Sequence, residues 1–184
     1  MKSLKDYLVP TLVLFVICFV ATLLLGMTNS VTAPIIEKLA VETEIKSRQT
    51  VFPDAVSFGE ANVLDDGTSV VEALDAQGGK IGYVVVNSAK GYGGDISVMT
   101  GVDAEGKVTG VNILSHAETA GLGANATTEK FRNQFINLVA GITVSKDKAG
   151  ENSIDALTGA TITSRAVTDA VNAEIEVSGG ENIG

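Results

Sequence analysis

Apolar residues run almost unbroken from Leu8 to Met27, interrupted by Pro10, Thr11, Thr22 and Gly26 and by no charge. Twenty such residues at about 1.5 Å each reach roughly 30 Å, the depth of a bilayer's hydrocarbon core, so the run predicts a transmembrane helix. After a short polar break, Pro34 suits the first turn of a second helix. Its apolar positions Ile35, Ile36, Leu39 and Ile45 share one broad face, and it ends near Phe52 and Pro53. The pattern then changes to short β-rich segments bounded by Gly and Asp turns: Ser69 to Leu74 and Ile81 to Asn87 read as strands. Ile96, Val98 and Val102 share one side of a third strand, and Val108, Val111, Ile113 and Leu114 belong to a fourth. The turn Asp103 to Gly106 makes these two an antiparallel hairpin. Helical spacing returns from Thr128 to Ala140, with Phe131, Phe135, Leu138 and Val139, capping residues at Asn125 to Thr128 and a stop at Gly141. It returns again after Thr161, at Ile162, Ala166, Val167, Ala170, Val171 and Glu174. The prediction is an α+β domain with a mainly antiparallel sheet and packed helices behind a single N-terminal span.

On this reading residues 1–27 form the N-terminus and transmembrane helix, 28–53 a connecting helix, 54–177 the domain, and 178–184 a loose Gly-rich tail. A cleaved signal peptide is the alternative for the apolar run, with Val31-Thr32-Ala33 as its cleavage site. Against it stand the length of the run and Pro34 in the first mature position. Lys2 and Lys5 precede the span and no basic residue follows it until Lys38. That asymmetry puts the N-terminus in the cytoplasm of a cell membrane and the domain outside.

Charge and rare residues narrow the chemistry. The chain of 184 residues carries 22 acidic against 13 basic side chains, a net charge of −9, which argues against nucleic-acid partners. Lys2, Lys5 and Asp6 are the charges of the first 26 residues, so the acidity belongs to the remainder of the chain. The single cysteine, Cys18, lies in the apolar run, and the single histidine is His116. No disulfide, iron–sulfur, zinc or multi-histidine site can be assembled from these within one chain, and any redox chemistry needs an organic cofactor. A hydrolytic triad is also unsupported, because His116 has no motif-borne nucleophile.

Three stretches carry candidate chemistry. The turn Thr158-Gly159-Ala160-Thr161, preceded by Asp155, leads into the last helix and places Thr161 at or just before its start. Unpaired N–H groups and the positive helix end favour an anion such as phosphate there, although Thr158, Thr161 or Ser164 can equally serve as an ordinary cap. Gly91-Tyr92-Gly93-Gly94 lets a backbone approach a ligand and offers a ring, or is a plain turn between strands. The loop from His116 to Gly123 gathers His116, Glu118 and Thr119 with Gly121, Leu122 and Gly123, or is a solvated loop.

Taken in order, these three motifs resemble the FMN-binding domain family, which carries a Gly-Tyr-x-Gly segment, a His-x-Glu-Thr-Pro-Gly-Leu-Gly loop and an acidic residue before a Ser/Thr-Gly-Ala-Thr tetrad. The likeness spans roughly Gly82 to Val171, about half the chain. It implies FMN joined by a phosphoester to Thr161 with the help of a flavin transferase, and loops that surround the rest of the flavin. The nearest resemblance is to the G subunit of Rnf-type complexes. It implies a non-catalytic-alone, electron-carrying subunit of an ion-translocating ferredoxin:NAD oxidoreductase, with other membrane subunits as partners. The C subunit of the sodium-pumping NADH:quinone oxidoreductase and a membrane-tethered flavin-binding sensory module are the alternatives. One departure is visible: Ala120 stands where the family has proline, so the loop lacks that ring's constraint.

Overall fold

The computed structural model describes the backbone over residues 4–148 and 150–179, and side-chain environments over 10–33, 43–148 and 150–179. The chain divides into two compact units, Met1–Glu44 and Ile45–Gly184. A single helix, α1 (Leu4–Val51), begins in the first and ends in the second. The expected polar break between two helices is therefore absent. Thr28, Ser30 and Thr32 turn their hydroxyls onto the carbonyls of Leu24, Met27 and Thr28, so these residues satisfy themselves within the helix. The span Pro10–Ala33 has a mean hydropathy of 2.5, is long and apolar enough to cross a membrane, and keeps its side chains exposed. Ile35, Ile36 and Leu39, expected on an apolar face, lie outside the residues whose side chains are described. Ile45, expected on the same face, is 57% exposed, whereas Ser47 and Val51 are buried.

The second unit is built on an antiparallel five-stranded sheet in sequential order, β1 (Ser57–Val63), β2 (Ser69–Leu74), β3 (Lys80–Lys90), β4 (Asp95–Asp103) and β5 (Val108–Ser115). Edge strand β1 is absent from the sequence reading because it is mostly solvent-facing and polar, with no alternation to reveal it. Both faces of the sheet are covered, which is why β4 is buried at nearly every position. On one face Ile96, Val98 and Val102 meet Ala166, Val167, Ala170, Val171 and Ile175 of the last helix, α3 (Thr161–Gly179). On the other, Val71, Val84 and Met99 pack with Val51 and Phe52 from the end of α1. Glycines make that second contact possible. A Cβ on Gly101 would lie 2.4 Å from the Val51 carbonyl oxygen, and one on its cross-strand partner Gly110 would lie 2.8 Å from it. The Thr109 hydroxyl donates to the same oxygen at 2.6 Å, satisfying the last turn of α1.

Between β5 and α3 the chain forms a 3-10 turn (Gly123–Thr127), the one-turn helix α2 (Glu129–Arg132) and a second 3-10 turn (Asn133–Phe135). The helix expected over Thr128 to Ala140 is thus cut short. Asn137 adopts a positive φ of 65°, and its N–H bonds to the Val108 carbonyl while the Val108 N–H bonds to Leu138. These links to the start of β5 take the backbone groups that a longer helix would use, and Asn is among the few side chains that tolerate that φ. Phe131 and Phe135 remain buried as an edge-to-face pair. A short parallel pair, β6 (Thr143–Val144) and β7 (Ser153–Ile154), precedes α3. Helix α3 continues to Gly179, past the expected start of the tail, and residues 180–184 lie outside the described residues.

Candidate functional site

The site begins at the turn that opens α3. The Ala160 N–H bonds back to the Leu157 carbonyl, and the Ala160 carbonyl accepts the first helical bond from Ser164 N–H at 3.0 Å. Gly159 supplies the positive φ of 75° that this tight turn requires. Ala160 therefore occupies the cap position with no side-chain oxygen, and Thr161 is the first helical residue. The N–H groups of Thr161, Ile162 and Thr163 have no partner within the helix, and they mark the positive end of a 19-residue helix. Ser164 braces the turn from behind: its buried hydroxyl accepts from Leu157 N–H at 2.9 Å and donates to the Ala160 carbonyl at 3.0 Å.

Facing this turn is the loop that leaves β5. One oxygen of Glu118 accepts from Gly93 N–H at 2.9 Å, and the other accepts from the Thr163 hydroxyl at 2.6 Å. Burial works to raise the Glu118 pKa. The bonds from Thr163, Gly93 and the Tyr92 backbone, with His116 nearby, outweigh it and hold the carboxyl below its ordinary value. A Cβ on Gly93 would lie 2.2 Å from the Ala117 carbonyl oxygen, so the glycine turn between β3 and β4 is bare in order to admit this loop. A Cβ on Gly123 would lie 2.4 Å from Glu118 and 2.6 Å from the Thr163 hydroxyl. Without the family's proline the loop is still closed on itself: Leu122 and Ala124 N–H both bond to the Thr119 carbonyl, and Asn125 Nδ2 donates to Gly121.

Together these segments enclose a cleft of ≈ 590 Å³ lined by Tyr92, Glu118, Thr119, Leu122, Gly123 and the run Gly159 to Thr163. Eight of the residues singled out from sequence thus share one cavity wall: Tyr92, Glu118, Thr119, Leu122, Gly123, Gly159, Ala160 and Thr161. The others stand behind or beside it. Gly91, Gly93 and Gly94 shape the turn that carries Tyr92. His116 is exposed, and its Nδ1 accepts from Glu118 N–H at 3.2 Å. Gly121 and Thr158 are exposed outside the lining. Asp155 accepts from Ser145 Oγ at 2.9 Å, and its N–H bonds to Gln134, which fixes the approach to the turn. Ser164 is the brace already described.

Three residues of the site are not marked as such by the sequence. Ile162, expected on the core face of α3, is half-exposed and lines the cleft, because the first turn of the helix meets loops where later turns meet the sheet. Thr163 carries no motif signal beyond adjacency to Thr161. Lys146, in the turn after β6, donates to the Thr161 hydroxyl at 3.2 Å, and nothing in its local sequence marks it.

An apolar-and-polar cleft that ends on the uncapped head of a helix defines a domain suited to a phosphorylated aromatic ligand. The FMN-binding domain family matches residues 91–176, the region that contains every cleft residue. The chain belongs to the family of G subunits of Rnf-type, ion-translocating ferredoxin:NAD+ oxidoreductase complexes. It is 38% identical over 164 residues to the G subunit of the proton-translocating complex of Clostridium ljungdahlii, covering 89% of this chain and 86% of that one. It is 39% identical over 188 aligned positions to the G subunit of the Na+-translocating complex of Acetobacterium woodii, covering 90% and 88%. Its fold is similar to that of the C subunit of the Na+-translocating NADH-quinone reductase of Parabacteroides distasonis, with a TM-score of 0.51 at 21% identity over 62% of this chain and 64% of the other.

Proposed function

We propose that this chain is a membrane-anchored electron carrier of an ion-translocating ferredoxin:NAD+ oxidoreductase complex and holds FMN through a phosphoester to Thr161. The observation that carries the reading is the cleft itself, which brings the three motif segments against the uncapped head of α3 with the Thr161 hydroxyl in its wall. The donor set fits the cofactor: backbone N–H groups and Lys146 suit a phosphate, Leu122, Ile162 and Tyr92 suit an aromatic ring, and bare Gly123 lets Glu118 and Thr163 meet in the wall. FMN, when bound, supplies the capacity to accept and release electrons singly or in pairs.

The chain's own residues hold, orient and shield. Attachment exchanges the Thr161 O–H bond for an O–P bond. Direct condensation with FMN is uphill in water, so the phosphoryl group comes from an activated flavin dinucleotide, which loses its nucleoside monophosphate while the threonine proton passes to solvent. A separate flavin transferase performs that exchange. The helix head stabilises the remaining diester charge. The apolar rim limits water access, and Glu118 sets a fixed negative charge in the wall. The protein is not catalytic alone; its partners are the other membrane subunits. The span Pro10–Ala33 anchors it in the cell membrane, with the N-terminus cytoplasmic and residues 54–177 extracytoplasmic.

The test is expression of the full chain together with a flavin transferase. The denatured polypeptide is expected to keep flavin fluorescence, and peptide mass analysis to put the flavin on Thr161. Thr161→Val should remove all denaturation-resistant flavin while leaving the fold intact. Flavin on Thr158 or Thr163, or a wild-type chain that loses its flavin on denaturation, would overturn the assignment.

A further inference from the structure

The turn around Lys146 fixes its backbone. Asp147 and Lys148 N–H groups both bond to the Val144 carbonyl, at 2.8 and 3.1 Å, and Ser145 N–H bonds to Ile154 at 2.8 Å. Asp147 is then fastened to α3 by two hydrogen bonds from Arg165, one from Nε at 2.8 Å and one from Nη2. Because Arg165 donates to it and stands beside it, the Asp147 carboxyl is held below its ordinary value, and Arg165 is raised in return. The arginine of this helix end is thereby committed to Asp147. Asp155, also close by in sequence and fold, has its carboxylate on the Ser145 hydroxyl.

Among the described residues no carboxylate pairs with Lys146, and no Lys or Arg lines the cleft. An ammonium offers three donors. Here it gives one to a neutral hydroxyl, that of Thr161. A cation at this distance, with Asp147 already paired to Arg165 and no carboxylate within ion-pair reach of Lys146 among the described residues, is arranged for an anion that Thr161 itself carries.

Resting on the reading of Thr161 as the attachment residue, we infer that Lys146 is the counter-charge of the phosphate on Thr161, a positioning residue that holds the phosphoryl group at the head of α3. It gains and loses no atom in the exchange of O–H for O–P. It acts by charge on the single negative charge that the diester retains and on the more negative phosphoanhydride from which it forms.

The experiment uses the purified full chain in detergent with a flavin dinucleotide and a flavin transferase, following flavin fluorescence that survives denaturation. Lys146→Gln is expected to slow the initial rate by about fivefold, the order of one partly exposed charge pair, and Lys146→Glu to slow it further. Lys146→Arg should restore it, and the gap between wild type and Lys146→Gln should close as salt rises. The deficit should appear in kcat at saturating chain. A Lys146→Gln chain flavinylated at the wild-type rate overturns the inference, as does an arginine variant no better than glutamine. A deficit confined to the KM for the chain overturns it too, because Lys146 would then be a docking contact of the transferase. If flavin in the wild type maps away from Thr161, the attachment reading falls and this inference with it; if it maps to Thr161 without a Lys146 effect, only this inference falls.

Discussion

Glu118 accepts from Gly93 with one oxygen and from Thr163 with the other, so one side chain ties the β3–β4 turn, the loop after β5 and the head of α3 together. Its folded-state pKa lies below the ordinary carboxyl value of 4.5. The sign follows from linkage: the bonds stabilise the fold above about pH 4.5, and the stabilisation is lost as pH falls through the lower folded value. Glu118→Gln keeps the shape and one acceptor but not the charge. Thermal melts between pH 3 and 7 should therefore lose part of their acid-side decline in this variant, and identical acid limbs would show that the carboxylate contributes nothing. With flavin bound, the same substitution removes a negative charge from the cleft wall, so the midpoint potential is expected to rise. The residues of the site were legible to unequal degrees. Tyr92, Glu118, Leu122 and Thr161 stand in motifs whose residue types advertise chemistry. Lys146 and Thr163 act through contacts made across the fold, 15 and 45 residues away in sequence, and local pattern holds no trace of such contacts.

Helix α3 couples the site to the sheet. Its apolar stripe at Ala166, Val167, Ala170 and Val171 was readable from period alone, and so were β2 to β5, whose alternation or β-branched runs are strong; Ile175 extends the stripe by one more turn. Strand β1 and the pair β6–β7 were not, because a polar edge and two-residue strands have no period to detect. The expected helix after Thr128 failed for the opposite reason: its spacing was good, but tertiary bonds to Val108 took the backbone. Within the α3 stripe Glu174 is fully buried, and its Oε1 accepts from Asn87 N–H at 2.9 Å. Burial raises its pKa well above 4.5, against the opposing pull of Thr100 and the Asn87 N–H. The Asn87 N–H bond is the one Glu174 makes at full hydrogen-bond geometry; Oε2 and the buried Thr100 hydroxyl make none, so what favours the charged form is too little to offset burial. A raised folded pKa means stability that is full below the unfolded value near 4.5 and is lost as pH rises toward the folded one. Glu174→Gln retains an acceptor and adds a donor without the ionisation. Its melting temperature relative to wild type should rise steadily as pH is raised from about 4.5 to 8. A constant difference across that range would mean that Glu174 does not titrate between the two states.

At the scale of the whole molecule, a 48-residue helix opens with an apolar span and ends as part of an acidic domain whose cleft lies within the region that matches the FMN-binding domain family. The length and hydropathy of the span were plain in the sequence; its continuity with the following segment was not, because Thr28, Ser30 and Thr32 look like breakers until their hydroxyls are seen bonding along the helix. That continuity bears on the choice between anchor and cleaved signal. Residues 28–33 are helical, whereas a processing protease reads its substrate extended, so cutting after Ala33 would first require the helix to open there. Retention of the span in the proposed orientation, with Lys2 and Lys5 cytoplasmic, is testable as a topology. Protease added outside spheroplasts should digest the domain and leave a membrane-embedded fragment, and a tag at the N-terminus should be cut only after the membrane is opened. Protection of the domain in sealed cells would reverse the orientation. A released form that begins at Pro34 would make the segment a signal. The same preparations carry the functional reading further, because solubilised membranes should yield the flavin-bearing chain together with other redox subunits, in a stoichiometry that survives mild detergent. A flavin-loaded chain that always purifies alone would separate it from electron transfer within a complex while leaving the flavin site untouched.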